Sequence, residues 1–168
     1  MMTKLVYSAI TSLDGYIADA EGNFDWSVPD PEVFEVINDL EREVGTVLYG
    51  RRMYEAMVYW ETVHLANDDP PYIRDFADNW RAQTKIVYST TLEHASSAKT
   101  LIEHAFIPDA VRKLKQSSEH DLSIGGGTSQ VRPSKRDWST RCICLSYPSP
   151  LAVARSPIPA SYGPNSNS

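Results

Sequence analysis

The sequence predicts an α/β domain built on a largely parallel β-sheet. Two observations carry this. Apolar, strand-type segments alternate with amphipathic, helix-type segments four times before residue 130. Each of four strand segments also ends in a turn rich in glycine, arginine or hydroxyl side chains, where open parallel sheets bind their ligands. Length and composition agree, since 168 residues, 42% hydrophobic and 23% charged, suffice for one domain with a buried core.

The first strand is read over 4–10 (KLVYSAI), stopping at the polar segment 11–15. Asp30-Pro31-Glu32 supplies an N-cap, a proline at the first helical position and a first-turn acid. Val33, Ile37, Leu40 and Val44 follow at helical spacing, and Gly45 is expected to end that helix. Residues 46–49 form a short buried-type strand. After Gly50 a helix runs over 51–60, with Tyr54, Met57 and Val58 on its apolar face. Asp69-Pro70-Pro71 opens another helix, with Tyr72, Ile73, Phe76 and Trp80 on one stripe. Strands follow over 85–89 and, shorter, over 100–102. A helix over 108–115 turns Val111 and Leu114 inward, and a strand over 121–124 runs into three glycines.

Several function classes are disfavoured. No run approaches the ~18 apolar residues of a membrane helix, and residues 1–10 do not read as a signal peptide. A net charge of −6 argues against coating nucleic acid. His64, His94, His104 and His120 are scattered without ligand spacing, so no metal site is expected. No serine-nucleophile elbow is present, and Cys142-Ile143-Cys144 lacks the two-residue spacer of the common redox motif.

Four strand ends could carry chemistry. Gly125, Gly126 and Gly127, with Thr128, would let the backbone approach a phosphate, or would simply make a flexible turn. Gly50, Arg51 and Arg52 offer two guanidiniums suited to a phosphate, or a solvated basic helix start. Ser89, Thr90 and Thr91 offer hydroxyls, or a turn. Asp14 before Gly15 could hold a polar substrate or help move a proton, or could form an Asx turn. Trp26 and Tyr16 could wall a pocket for a flat heterocycle or lie in the core.

Taken in order, KLVYSAITSLDGYIA, FDW, TVLYGRRMYE, KIVYSTTL and DLSIGGGT resemble the dihydrofolate-reductase-like superfamily, and more narrowly the reductase domain of the riboflavin-biosynthesis deaminase–reductase. The resemblance spans about residues 3–130. It implies a mainly parallel sheet with flanking helices and a cytoplasmic reductase domain over 1–130 using NADPH. Gly125, Gly126, Gly127 and Thr128 would lie at the pyrophosphate, Gly50, Arg51 and Arg52 at the phosphate-binding helix start, and Ser89 and Thr90 near the 2′-phosphate. Ser12 and Asp14 would line the nicotinamide and substrate side, with Trp26 also at the substrate and Asp14 the catalytic candidate. The implied substrate is a pterin-like or ribosylamino-pyrimidine heterocycle, and the implied assembly a homodimer formed through late strands. Met53 stands where the family has threonine, removing a hydroxyl donor from the phosphate site. The rival readings are a non-catalytic nucleotide-binding relative and an inactive truncated product.

The last 38 residues depart from the pattern. They hold five of the 16 Lys+Arg, one of the 22 acids, six of the 11 prolines and both cysteines. Residues 131–168 are accordingly expected to be an irregular, Ser/Pro-rich basic tail that leaves the sheet incomplete at its C-terminal side. Read one base out of frame from Arg132, the codons can encode Ala-Phe-Glu-Ala-Gly-Leu-Val-Asp-Glu-Val-His, the residues the family would continue with. A frameshift near residue 131 is the expectation, and the DNA sequence tests it.

Overall fold

The computed structural model describes residues 3–12, 16–21, 28–66 and 68–125, together with the backbone of 140–147. Eleven elements are described in chain order. They are β1 (Leu5–Ser12), α1 (Pro31–Glu41), β2 (Val44–Gly50), α2 (Arg51–Met57), α3 (Tyr59–Thr62), α4 (Pro71–Ala82), β3 (Thr84–Tyr88), β4 (Thr100–Glu103), α5 (Pro108–Ser117), β5 (Asp121–Gly125) and β6 (Thr140–Tyr147).

The six strands form one sheet in the order β4-β3-β2-β5-β1-β6, and every pairing is parallel. The chain steps outward from β1 through β2 and β3 to β4, then returns to place β5 between β2 and β1. Neighbouring β2 and β5 therefore lead to opposite sides of the sheet, one to β3 and the other to β6. A crevice opens at the carboxyl ends of such a pair.

Local chemistry accounts for the helix starts. Asp30 Oδ1 accepts from the Val33 amide at 2.9 Å, with Pro31 in the first turn. Pro71 and Pro108 likewise stand at the first positions of α4 and α5, there without a side-chain cap. The buried face of α1 is centred on Phe34 and Asn38, one position along from the expected stripe. Phe34 meets Tyr72 and Phe76 of α4 at ring separations of 5.4 and 5.7 Å.

Three expectations are corrected. Gly45 does not end α1, which stops at Glu41; it lies within β2, where a Cβ would fall 2.7 Å from Cβ of His120. The glycine serves a close approach to the segment leading into β5 rather than a helix terminus. The helix expected over 51–60 divides at Val58 into α2 and α3. There, Arg81 Nε and Nη2 each donate at 2.9 Å to the carbonyls of Trp60 and Val63. Finally, residues 140–147 of the tail expected to be irregular form β6, paired with β1 from Leu5↔Thr140 to Ser12↔Tyr147, while 131–139 and 148–168 lie outside the described residues. Its sequence TRCICLSY carries a continuous apolar run from Cys142 to Leu145, which is strand-compatible, and the pairing satisfies backbone groups of β1 that an edge strand would expose.

The core has two layers, one on each face of the sheet. Leu5, Leu48, Leu122 and Ile124 pack with Val111 of α5. Val44, Val47, Tyr49 and Val87 pack with Tyr54 of α2. Among the described residues no helix is long and apolar enough to cross a membrane.

Candidate functional site

Strand register brings the predicted turns to one rim. Tyr49 lies opposite Gly125, Gly50 opposite Tyr88, and Tyr88 opposite Glu103. Gly50, Ser89 and Gly125 therefore end three adjacent strands at nearly one level. On the far side of β5, Ser8 is level with Gly125, and β1 continues four residues further to Ser12. At the usual rise per residue, β1 stands about 13 Å above that level and forms a wall beside the crevice. The arginine corner and the first glycine of the triple-glycine segment thus share one edge of the sheet.

Arg51 is the most constrained polar group there. Its Nε donates to Glu55 Oε1 at 2.7 Å, and its Nη1 donates to Thr91 Oγ1 at 2.6 Å. Nη2 is left for another acceptor. Arg52 is exposed and has no ion pair among the described residues. Two guanidiniums with spare donors at a strand-to-helix corner suit an anion with several acceptor oxygens.

Ser89 acts within the loop it begins. Its hydroxyl accepts from the amides of Thr91 at 3.2 Å and Leu92 at 3.0 Å, while its carbonyl accepts from His104 Nδ1 at 2.9 Å. Because a carbonyl only accepts, Nδ1 carries the proton and Nε2 points elsewhere. Thr90 is exposed beside it. Tyr54 holds the far end of the same loop, its hydroxyl accepting from the Ser96 amide at 2.8 Å and bonding Ser97 Oγ at 3.0 Å.

Ser12 is buried at 1% exposure, and its hydroxyl accepts from the Tyr16 amide at 3.0 Å. The Ser12 amide donates to the Tyr16 carbonyl at 2.8 Å. Both bonds tie Ser12 to Tyr16. Asp14, Trp26, Gly126, Gly127 and Thr128 lie outside the described residues. Met53 lies beside Gly125, its Cγ 3.8 Å from the place a Cβ there would occupy. An apolar thioether, not a hydroxyl, therefore occupies this corner.

Thr91, read from the sequence only as a strand-end hydroxyl, holds Arg51, while Glu55 beside it and His104, which meets Ser89, emerge with the fold. The Arg51–Glu55 spacing of four residues on a helix is a local signal. The contacts of Thr91 and His104 cross between elements and leave none. Among the described residues no three His, Cys, Asp or Glu side chains are grouped to hold a metal ion.

The profile of the RibD C-terminal domain matches residues 3–132, more than three quarters of the chain. The chain belongs to the RibD C-terminal domain family. This bears out the resemblance seen over about residues 3–130, and with it the dihydrofolate-reductase-like α/β fold of the family. The RibD-type chain is 25% identical over 128 residues to the uncharacterised protein YyaP of Bacillus subtilis (strain 168), a match spanning 76% of this chain and 65% of that protein. Among solved structures, a protein assigned to riboflavin biosynthesis from Shewanella sp. PV-4 superposes with a TM-score of 0.63 at 23% identity, covering 99% of this chain and 86% of that one. RibD of Acinetobacter baumannii superposes with a TM-score of 0.63 at 13% identity, covering 99% and 52%. A pyrimidine reductase-like protein from Corynebacterium diphtheriae gives 0.59 at 14% identity, covering 98% and 81%. The chain spans just under two thirds of the length of YyaP, the curated relative it matches.

Proposed function

We propose that the chain is an NADPH-dependent reductase of a flat, ribosylated heterocycle, a pterin-like or ribosylamino-pyrimidine compound of the 5-amino-6-(5-phosphoribosylamino)uracil type, working in the cytoplasm. One observation carries the reading: Gly50–Arg51, Ser89 and Gly125 end adjacent parallel strands at the place where the strand order reverses. The donor set there fits a phosphorylated dinucleotide. Among the described residues Arg51 Nη2 meets no acceptor, Arg52 makes no ion pair, and Thr90 is exposed at the next strand end.

When bound, NADPH supplies the hydride. The chain's own residues bind and orient. Arg51 and Arg52 would hold phosphate charge, and Gly125, Gly126, Gly127 and Thr128 would be the segment that meets the pyrophosphate. The β1 wall that ends at Ser12 screens the crevice from water. Asp14, two residues beyond Ser12 in the sequence, is assigned the polar contact to substrate and the handling of a proton at its carboxylate. Trp26 is assigned the stacking face.

Fluorescence titration of the full chain with NADPH, followed by absorbance at the NADPH band across a panel of pterins and ribosylamino-pyrimidines, tests the proposal. Saturable binding and substrate-dependent oxidation are expected. A folded chain that binds no NADPH overturns it, and binding without oxidation across the panel favours the non-catalytic nucleotide-binding relative.

A further inference from the structure

We propose that Thr91 is a positioning residue that fixes the Arg51 guanidinium at the carboxyl rim and thereby sets the preference for a 2′-phosphorylated dinucleotide over an unphosphorylated one. The inference rests on the reading of Arg51 as a phosphate contact and deepens it.

Arg51 has two described partners of different kinds. Glu55 lies one turn along the same helix, with Oε1 2.7 Å from Nε. That bond moves with α2 and ties the side chain to nothing else. Thr91 belongs to the β3–β4 loop, and its Oγ1 accepts from Nη1 at 2.6 Å. It is the contact that relates the guanidinium to the neighbouring strand end. With Nε and one N–H of Nη1 engaged, the planar group has one orientation, and among the described residues Nη2 meets no acceptor and faces an incoming phosphate as a donor.

Thr91 is itself held firmly. Ser89 Oγ accepts from its amide at 3.2 Å, and the Ser89 amide donates to the Glu103 carbonyl at 2.9 Å, continuing the β3–β4 ladder. His104 Nδ1 takes the Ser89 carbonyl at 2.9 Å. The loop's other end is tied to α2 through Tyr54, at 2.8 Å to the Ser96 amide and 3.0 Å to Ser97 Oγ. A loop pinned at both ends offers Arg51 a fixed acceptor. Arg51 and Glu55 are close to half exposed, at 45% and 48%. Exposed polar contacts of this kind contribute little to stability, so a structural role for the Thr91 bond predicts no change in ligand preference.

The test is equilibrium titration of the full chain with NADPH and with NADH, for wild type, Thr91→Val, Thr91→Ser and Arg51→Ala. Valine keeps the size and removes the acceptor. Thr91→Val is expected to weaken NADPH about threefold to tenfold, to leave NADH within about twofold, and to keep the thermal midpoint. Thr91→Ser is expected to restore the preference. The inference is overturned if Thr91→Val keeps the wild-type NADPH-to-NADH ratio while Arg51→Ala loses it. Equal weakening of both cofactors in Thr91→Val overturns it too, because Thr91 then acts on the loop as a whole. If Arg51→Ala leaves the ratio unchanged, the phosphate reading of Arg51 fails and the role of Thr91 falls with it.

Discussion

Gly125 and Tyr49 face each other at the ends of adjacent parallel strands, and a Cβ on Gly125 would lie 2.6 Å from Cε1 of the Tyr49 ring. Tyr49 is buried at 6% exposure, so the ring has little room to retreat. Gly125→Ala is therefore expected to destabilise the fold by about 1–3 kcal/mol, the usual cost of overpacking. Urea denaturation measures it, and an unchanged midpoint would show that the ring moves freely.

The Tyr54 hydroxyl joins α2 to the β3–β4 loop through the Ser96 amide and the Ser97 hydroxyl. Tyr54→Phe keeps the ring in its buried place and orphans the Ser96 amide. The expected loss is about 1–2 kcal/mol, together with faster amide exchange at Ser96. Hydrogen exchange read at that amide decides between this and a bond without consequence.

Lys85 is a cation inside the core, at 0% exposure. Its Nζ sits 4.2 Å from the centre of the Trp80 ring and reaches the carbonyls of Arg81 and Ala98 only at 3.5 and 3.4 Å. Desolvation holds its pKa below the ordinary lysine value, partly offset by the nearby Glu61 carboxylate. Between the lowered value and the ordinary one the unfolded chain binds more protons, so stability rises with pH through that window. Lys85→Met, of similar length and uncharged, is expected to raise stability at neutral pH by on the order of 1 kcal/mol and to abolish that rise. A loss of stability would show that the ring and carbonyl contacts outweigh desolvation.

Glu41 has its pKa raised by burial, with the hydrogen bond from Gln83 Nε2 at 2.9 Å opposing the shift. The folded state here holds its proton longer than the unfolded chain. Stability therefore falls as pH rises from the ordinary carboxylate value through the raised one. Glu41→Gln is expected to be more stable than wild type at pH 7, with the difference shrinking as the pH falls through the raised value and gone below about 4. Thermal midpoints of the two proteins across pH 3–8 give the comparison, and parallel curves would contradict the assignment.

Much of the fold was legible because its signals are local. Apolar runs, proline at helix starts and the Asp30 cap act over a few residues, and they located each strand before residue 125 and each helix, with α2 and α3 read as one. Gly45 misled for a physical reason. A glycine after a helical pattern commonly ends a helix, whereas here it makes room for His120, a neighbour 75 residues away in the chain. The same limit applies to the candidate site. Arg51 and Ser89 are visible as residue types at strand ends, but the Thr91 acceptor and the His104 contact depend on which strands are neighbours.

By itself, the sequence determined the alternation of elements, the polar turns that close the strands and, through its ordered motifs, the family. Only the tertiary structure decided that β5 inserts between β2 and β1, so that Gly50 and Gly125 end side by side, and that residues 140–147 lie along β1. Helical and strand periodicity is set by neighbours within a few positions. Strand order is set by which buried faces and backbone ladders satisfy one another across the whole chain.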